Sequence, residues 1–206
     1  MTKKAPRFVQ EFIGDYIGNN IDDFAKNLSL NMARAKEFLM MCDADLDYAR
    51  DQLKFSDTQE TRRVWIRAIP PWVEGKLSFF RVMPYLYPPL LHRIPENVQV
   101  LFAETMLPTR NRSSAKDTIK NTLLGIGEVA KMNVPPNLMG EAGAQALMYT
   151  FEVRDSLMHP RSIEGYLVSD EAIRSANVGV DWFEHKFVGV FAPLMEVVDQ
   201  SRAPVK

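Results

Sequence analysis

Cysteine is almost absent from this chain, Cys42 being the only one in 206 residues. A lone thiol excludes an internal disulfide framework, a cysteine-rich zinc site and a Cys-x-x-Cys redox motif, and it fits a reducing compartment. Glycine is sparse too, with 10 residues against 13 prolines, which leaves little room for low-complexity linker. Long hydrophobic runs are missing. The longest uncharged stretch, Val82 to His92, is short and carries Pro84, Pro88 and Pro89, so it cannot span a bilayer. The basic stretch Met1 to Arg7 is followed by Phe8, Val9, Gln10 and Glu11 rather than by an apolar core, so no secretory signal is read there. A soluble, cytoplasmic protein with no membrane partner is expected. Neither sign of charge is in surplus, with 25 basic and 26 acidic side chains, which argues against tight, sequence-independent binding along a nucleic-acid backbone. Any such contact must come from a local patch. Also missing are a His-x-x-x-His pair, a carboxylate-rich cluster and a Gly-rich phosphate loop, because Gly125-Ile126-Gly127 falls inside a helical pattern. No metal and no nucleotide cofactor is expected.

What is present is helical periodicity. Met32, Ala35, Leu39, Cys42, Leu46, Ala49 and Leu53 recur in steps of three and four, the seam of a long amphipathic helix with Ser29 as its expected N-cap. A second helix opens at Ser56-Asp57-Thr58-Gln59-Glu60, where Asp57 and Glu60 have capping-box spacing. Its apolar face runs through Trp65, Ile69, Trp72, Val73, Leu77 and Phe80, and Pro70-Pro71 is expected to kink it without ending it. Residues 84 to 112 carry five prolines and are read as an irregular insertion, with one short helix near Val98 to Met106. Ser114 to Asp117 gives another capping spacing, and Ile119, Leu123, Ile126 and Ala130 carry that helix toward Pro135-Pro136. A helix from about Glu141 to Met158 follows, then a short one from Ser169-Asp170-Glu171 and a final aromatic one from Asp181. No segment alternates with period two and no internal repeat is found. The expectation is an all-α bundle forming one domain over residues 1–206, with residues 1–20 peripheral.

On a helical wheel of Glu141 to Met158, Leu147, Phe151, Arg154 and Met158 share one stripe, flanked by Met148, Thr150 and Leu157. Gln145, Glu152, Asp155 and Ser156 take the polar side. Pro160 biases His159 away from helical dihedrals and so frees its imidazole at the helix end. Two readings are open. Either Arg154 merely snorkels or pairs with a carboxylate while His159 only ends the helix, or the arginine and histidine together form a site.

The string Arg154-Asp155-Ser156-Leu157-Met158-His159 resembles the signature of the HEPN domains, an arginine, a polar residue often Asn or Asp, and a histidine a few residues on. The similarity extends weakly from about Ser29 to Pro193: residues 61–80 look like the family's preceding core helix, with Glu74 at its usual acidic position, and residues 169–183 like the segment after the motif. The resemblance implies an up-and-down helical bundle. Many members are metal-independent endoribonucleases that dimerise to bring two motifs into one cleft; others are inactive relatives that bind or scaffold. A defence, toxin or RNA-processing role, with RNA, a second copy of the chain and a cognate inhibitor as partners, follows as an expectation. Some members carry Tyr two residues after the histidine. Arg161 stands there instead, so neutralisation by modifying that tyrosine is not expected.

The residues support such chemistry on their own terms. Cutting RNA without a metal requires proton transfer from the ribose 2′-hydroxyl, proton transfer to the leaving oxygen, and positive charge against the phosphorane. Imidazole performs either transfer near neutral pH, a guanidinium grips two phosphate oxygens, and Asp155 orients its neighbours. One histidine per chain is thin for two transfers, which makes a paired, two-subunit site attractive. Arg110, Arg112, Lys116, Lys120 and Arg161 are the candidates for a local RNA-binding patch, against the plainer reading of a solvated face. His92, at an element end, and His185, on the aromatic helix, have little to suggest a role.

Overall fold

The computed structural model describes residues 21–86 and 114–202. Within them the chain is an all-α helical bundle of five helices: α1 (Ile21–Phe55), α2 (Gln59–Leu86), α3 (Ala115–Val129), α4 (Ala142–Met158) and α5 (Asp170–Arg202). Single 3-10 turns at Leu138–Gly140 and Glu164–Tyr166 bracket α4. Residues 56–58 are all that join α1 to α2, so the two helices return on each other as antiparallel neighbours. α4 packs along α5, α2 lies against both, and α3 packs on α2 and α5.

The core explains why α2 survives two adjacent prolines. Pro70 and Pro71 each remove a backbone donor, at a cost of about 3 kcal/mol in a helix interior. Trp65, Ile66 and Ile69 before them, and Trp72, Val73, Leu77 and Phe80 after them, are all buried on one face. Each such burial contributes about 1.5–3 kcal/mol, so continuity outweighs the two interruptions. The helix runs unbroken to Leu86 and takes in Pro84, so the expected insertion starts later than residue 84; the rest of it, with the short helix near 98–106, lies outside the described residues, as do residues 1–20.

Aromatic rings fill the space between α2 and α5. Phe80 stacks on Phe187 with centroids 4.5 Å apart, Phe187 on Phe191 at 5.7 Å, and Trp72 meets Phe183 edge-on at 5.3 Å. A buried cation sits at the edge of this cluster. Lys76 Nζ lies 4.6 Å from the Phe187 ring centroid and 2.7 Å from Asp43 Oδ1 of α1, and Trp72 Nε1 donates to the same carboxylate oxygen at 2.7 Å. Asp43 thus ties α1 to α2 and compensates a charge that would otherwise be costly to bury.

Several boundaries differ from expectation. Ser29 is no N-cap but lies inside α1, because a mid-helix serine costs only tenths of a kcal/mol and the helix extends back to Ile21. The capping box of α2 is one residue later than the Asp57/Glu60 reading: Thr61 N–H donates to Thr58 Oγ1 at 3.3 Å and Thr58 N–H to Thr61 Oγ1 at 3.0 Å, while Asp57 pairs with Arg62. Ser114 caps α3 as expected, its Oγ accepting from Asp117 N–H at 3.1 Å. That helix stops before Pro135-Pro136, in a Schellman turn closed by Met132 N–H to Gly127 O and Lys131 N–H to Glu128 O, with Lys131 at φ 57°. The two helices expected after Ser169 are one. Ala172, Ala176, Val180, Phe183, Phe187, Val190 and Leu194 carry a single buried stripe past the exposed Asp181, so nothing ends the helix there.

Candidate functional site

α4 is anchored at its first turn. Glu141, immediately before it, accepts from Trp182 Nε1 at 2.7 Å and from Lys186 Nζ at 2.8 Å, both on α5. These two partners, Lys186 first, hold its carboxyl below the ordinary carboxylate range. Within that same turn the helices touch through glycine. A Cβ on Gly143 would fall 2.3 Å from Trp182 Cβ, and one on Gly179 would fall 2.7 Å from the backbone of Leu147. Only glycine permits this approach. The inward face of α4 is Gly143, Ala144, Leu147, Thr150 and Leu157.

The register turns the motif outward. Arg154 is not central to a buried stripe: its side chain is 40% exposed, and Met158, expected on the same stripe, is 50% exposed. The inward row runs through Thr150 and Leu157, which places Arg154 at its edge. Arg154 Nη1 donates to Asp155 Oδ1 at 2.8 Å, an exposed pair in which the carboxylate holds the guanidinium against the helix end. Helical hydrogen bonding ends at His159, whose N–H still donates to Asp155 O at 3.1 Å while its backbone leaves the helix at φ −132°, ψ 62°. Pro160 accounts for that turn, as expected. Arg154, Asp155 and an exposed His159 are thereby gathered at one helix terminus.

The N-terminal half of α2 brings a set of cations to the same end, and these were not singled out in the sequence. Arg67 Nη2 reaches Leu157 O of α4 at 3.5 Å, the limit of a hydrogen bond, where a cation complements the C-terminal end of the helix dipole. Arg63 lies over the Tyr166 ring with 4.9 Å to its centroid. Arg62 is neutralised between Asp57 and Asp170 and donates to Val168 O at 3.1 Å. Gln59 clamps the same residue on both sides, accepting from Val168 N–H at 2.8 Å and donating to Val168 O at 3.1 Å. Residues after the motif are thus stapled to α2. The available signal was Arg63 and Arg67 at i, i+4 spacing in "TRRVWIR", one face of a helix.

Other expected site residues lie elsewhere. Glu74 is exposed and pairs with Arg81 at 3.0 Å, two turns along α2 from the Arg67 contact. Lys116 and Lys120 are on α3, which packs on α2 and α5 rather than along α4. Arg161 is exposed two residues past His159, and Arg110 and Arg112 lie outside the described residues. Among the described residues no group of three or more His, Cys, Asp or Glu side chains converges as metal ligands would, and no helix is long and apolar enough to cross a membrane.

Compared with models of protein families, with characterised proteins and with solved structures, the chain shows no match.

Proposed function

We propose that the chain is a HEPN-type, metal-independent endoribonuclease that cleaves single-stranded RNA as a homodimer. The observation that carries this reading is the release of His159 from the helical backbone, exposed, beside the Arg154–Asp155 pair. In the paired site, one imidazole accepts the proton of the ribose 2′-hydroxyl as that oxygen attacks phosphorus. The partner imidazole, entering protonated, gives its proton to the departing 5′-oxygen. The two guanidiniums stabilise the extra negative charge of the phosphorane. The products are a 2′,3′-cyclic phosphate and a 5′-hydroxyl. Exposed apolar side chains around the motif, Met158, Ile163 and Leu167, suit the contact between two copies.

The test is chemical. Purified protein incubated with single-stranded RNA in EDTA is expected to leave 2′,3′-cyclic phosphate ends, and sedimentation at micromolar concentration is expected to give a dimer. RNA retained but uncut would mark a binding module instead, and a strict monomer would remove the composite site.

A further inference from the structure

The 3-10 turn Glu164–Tyr166 packs back on the end of α4, and a Cβ added to Gly165 would lie 3.9 Å from Pro160 Cα. Tyr166 is therefore a near neighbour of the motif in space although seven positions separate it from His159 in the chain. Tyr166 as a residue is 40% exposed, so it is not a core residue, and the Arg63 guanidinium lies over one face of its ring. Arg63 Nη1 also reaches Tyr166 O at 3.5 Å, and the Gln59–Val168 pair fixes the chain two residues on. An exposed ring held from behind by a cation, on an anchored turn, is a preorganised stacking surface.

We propose that Tyr166, backed by Arg63, stacks an unpaired RNA base of the strand that Arg154 and His159 engage. The inference rests on the ribonuclease reading for its ligand but adds a site that the motif does not contain. The local chemistry favours a base over a phosphate at this point. Glu164 shares the turn, and hydrogen bonding from Ser162 holds its carboxyl below the ordinary range, so it stays ionised and repels a phosphate while leaving a neutral base unaffected. Positive charge for the backbone is supplied by nearby segments: Arg161 is exposed, and no carboxylate among the described residues pairs with Arg63 or Arg67. Stacking on an aromatic ring tolerates any sequence and requires an unpaired strand, which sets the substrate class as single-stranded RNA.

The experiment is fluorescence anisotropy with labelled oligoadenylate of about ten nucleotides, within the span of single-strand sites. A duplex of the same length serves as control, and every protein carries His159→Ala so that cleavage cannot confuse binding. Tyr166→Ala is expected to weaken single-strand binding roughly five- to 150-fold. Tyr166→Phe should bind within about twofold of the parent, and Glu164→Gln somewhat more tightly. Tyr166→Leu separates stacking from packing, since it keeps an apolar side chain and loses the ring: binding equal to the parent would overturn the proposal, as would equal loss for duplex and single strand. RNA binding that ignores every change at Tyr166 would sink this inference and leave the ribonuclease reading standing. No RNA binding by either the wild-type protein or the His159→Ala parent would sink both.

Discussion

The two ends of α4 are built on opposite terms. At its start Glu141, Gly143 and Leu147 meet α5 so closely that two glycines are required, and the electrostatic contacts there are shared between helices. At its end Arg154, Asp155 and His159 bond chiefly to each other and to their own backbone, and they face outward. The first end holds the helix in place; the second is presented by it. Residues that hold a fold should be costly to change in stability and residues that serve chemistry should be cheap, so the contrast can be tested as a gradient along one helix.

The largest effect belongs at the glycine crossing. Gly179→Val is expected to cost about 3 kcal/mol or more, because its Cβ would meet the backbone of Leu147 and backbone cannot yield as a flexible side chain does. Thermal or urea unfolding checks this. A variant as stable as the parent would mean that α4 and α5 are not in such close contact.

Glu141→Gln comes next, at about 1 kcal/mol near neutral pH, since the group is only half-buried and solvent discounts its ion pair. The sign with pH follows from its depressed pKa. Its contribution is fully present above the ordinary glutamate value and is lost as pH falls through the lower folded value. Parent and variant should therefore draw together in stability as pH falls below the ordinary glutamate range, and meet once the carboxyl of the folded state is protonated. Curves that stay parallel throughout the acid range would show that the Lys186 and Trp182 contacts carry no charge-dependent stability.

At the far end Arg154→Ala should cost less than about 1 kcal/mol, an exposed ion pair being worth little. His159→Ala should change stability by no more than about 0.5 kcal/mol. A loss of several kcal/mol from either would place the motif among the parts that hold the fold and would undo the contrast.

The helical class was legible because burial imposes a period of 3.6, which survives even Pro70-Pro71 when large apolar residues continue on both sides. Boundaries were less legible, because Ser29 and Asp181 look like caps yet lie inside continuous helices, and Asp57 offers the same cap signal as Thr58, one residue on, which is the residue that makes the box. At the site, the proline that turns His159 out of the helix was visible in one residue pair. The phase of α4 was not. A wheel cannot choose between Arg154-Met158 and Thr150-Leu157 as the inward row when Gly143 and Ala144, small enough to be overlooked as core, decide the side of closest approach. Arg63, Arg67 and Tyr166 were hidden for another reason: they reach the motif only through the packing of α2 against the end of α4 and the turn after it.

The most direct test of the central claim measures cleavage of single-stranded RNA in EDTA by the parent and by His159→Ala, with unfolding followed on the same preparations. The variant is expected to lose activity by at least about a hundredfold, the range for removal of a positioned acid–base group, while its unfolding transition stays where the parent's is. Equal cleavage by both proteins would place the activity somewhere other than His159 and would contradict the ribonuclease assignment.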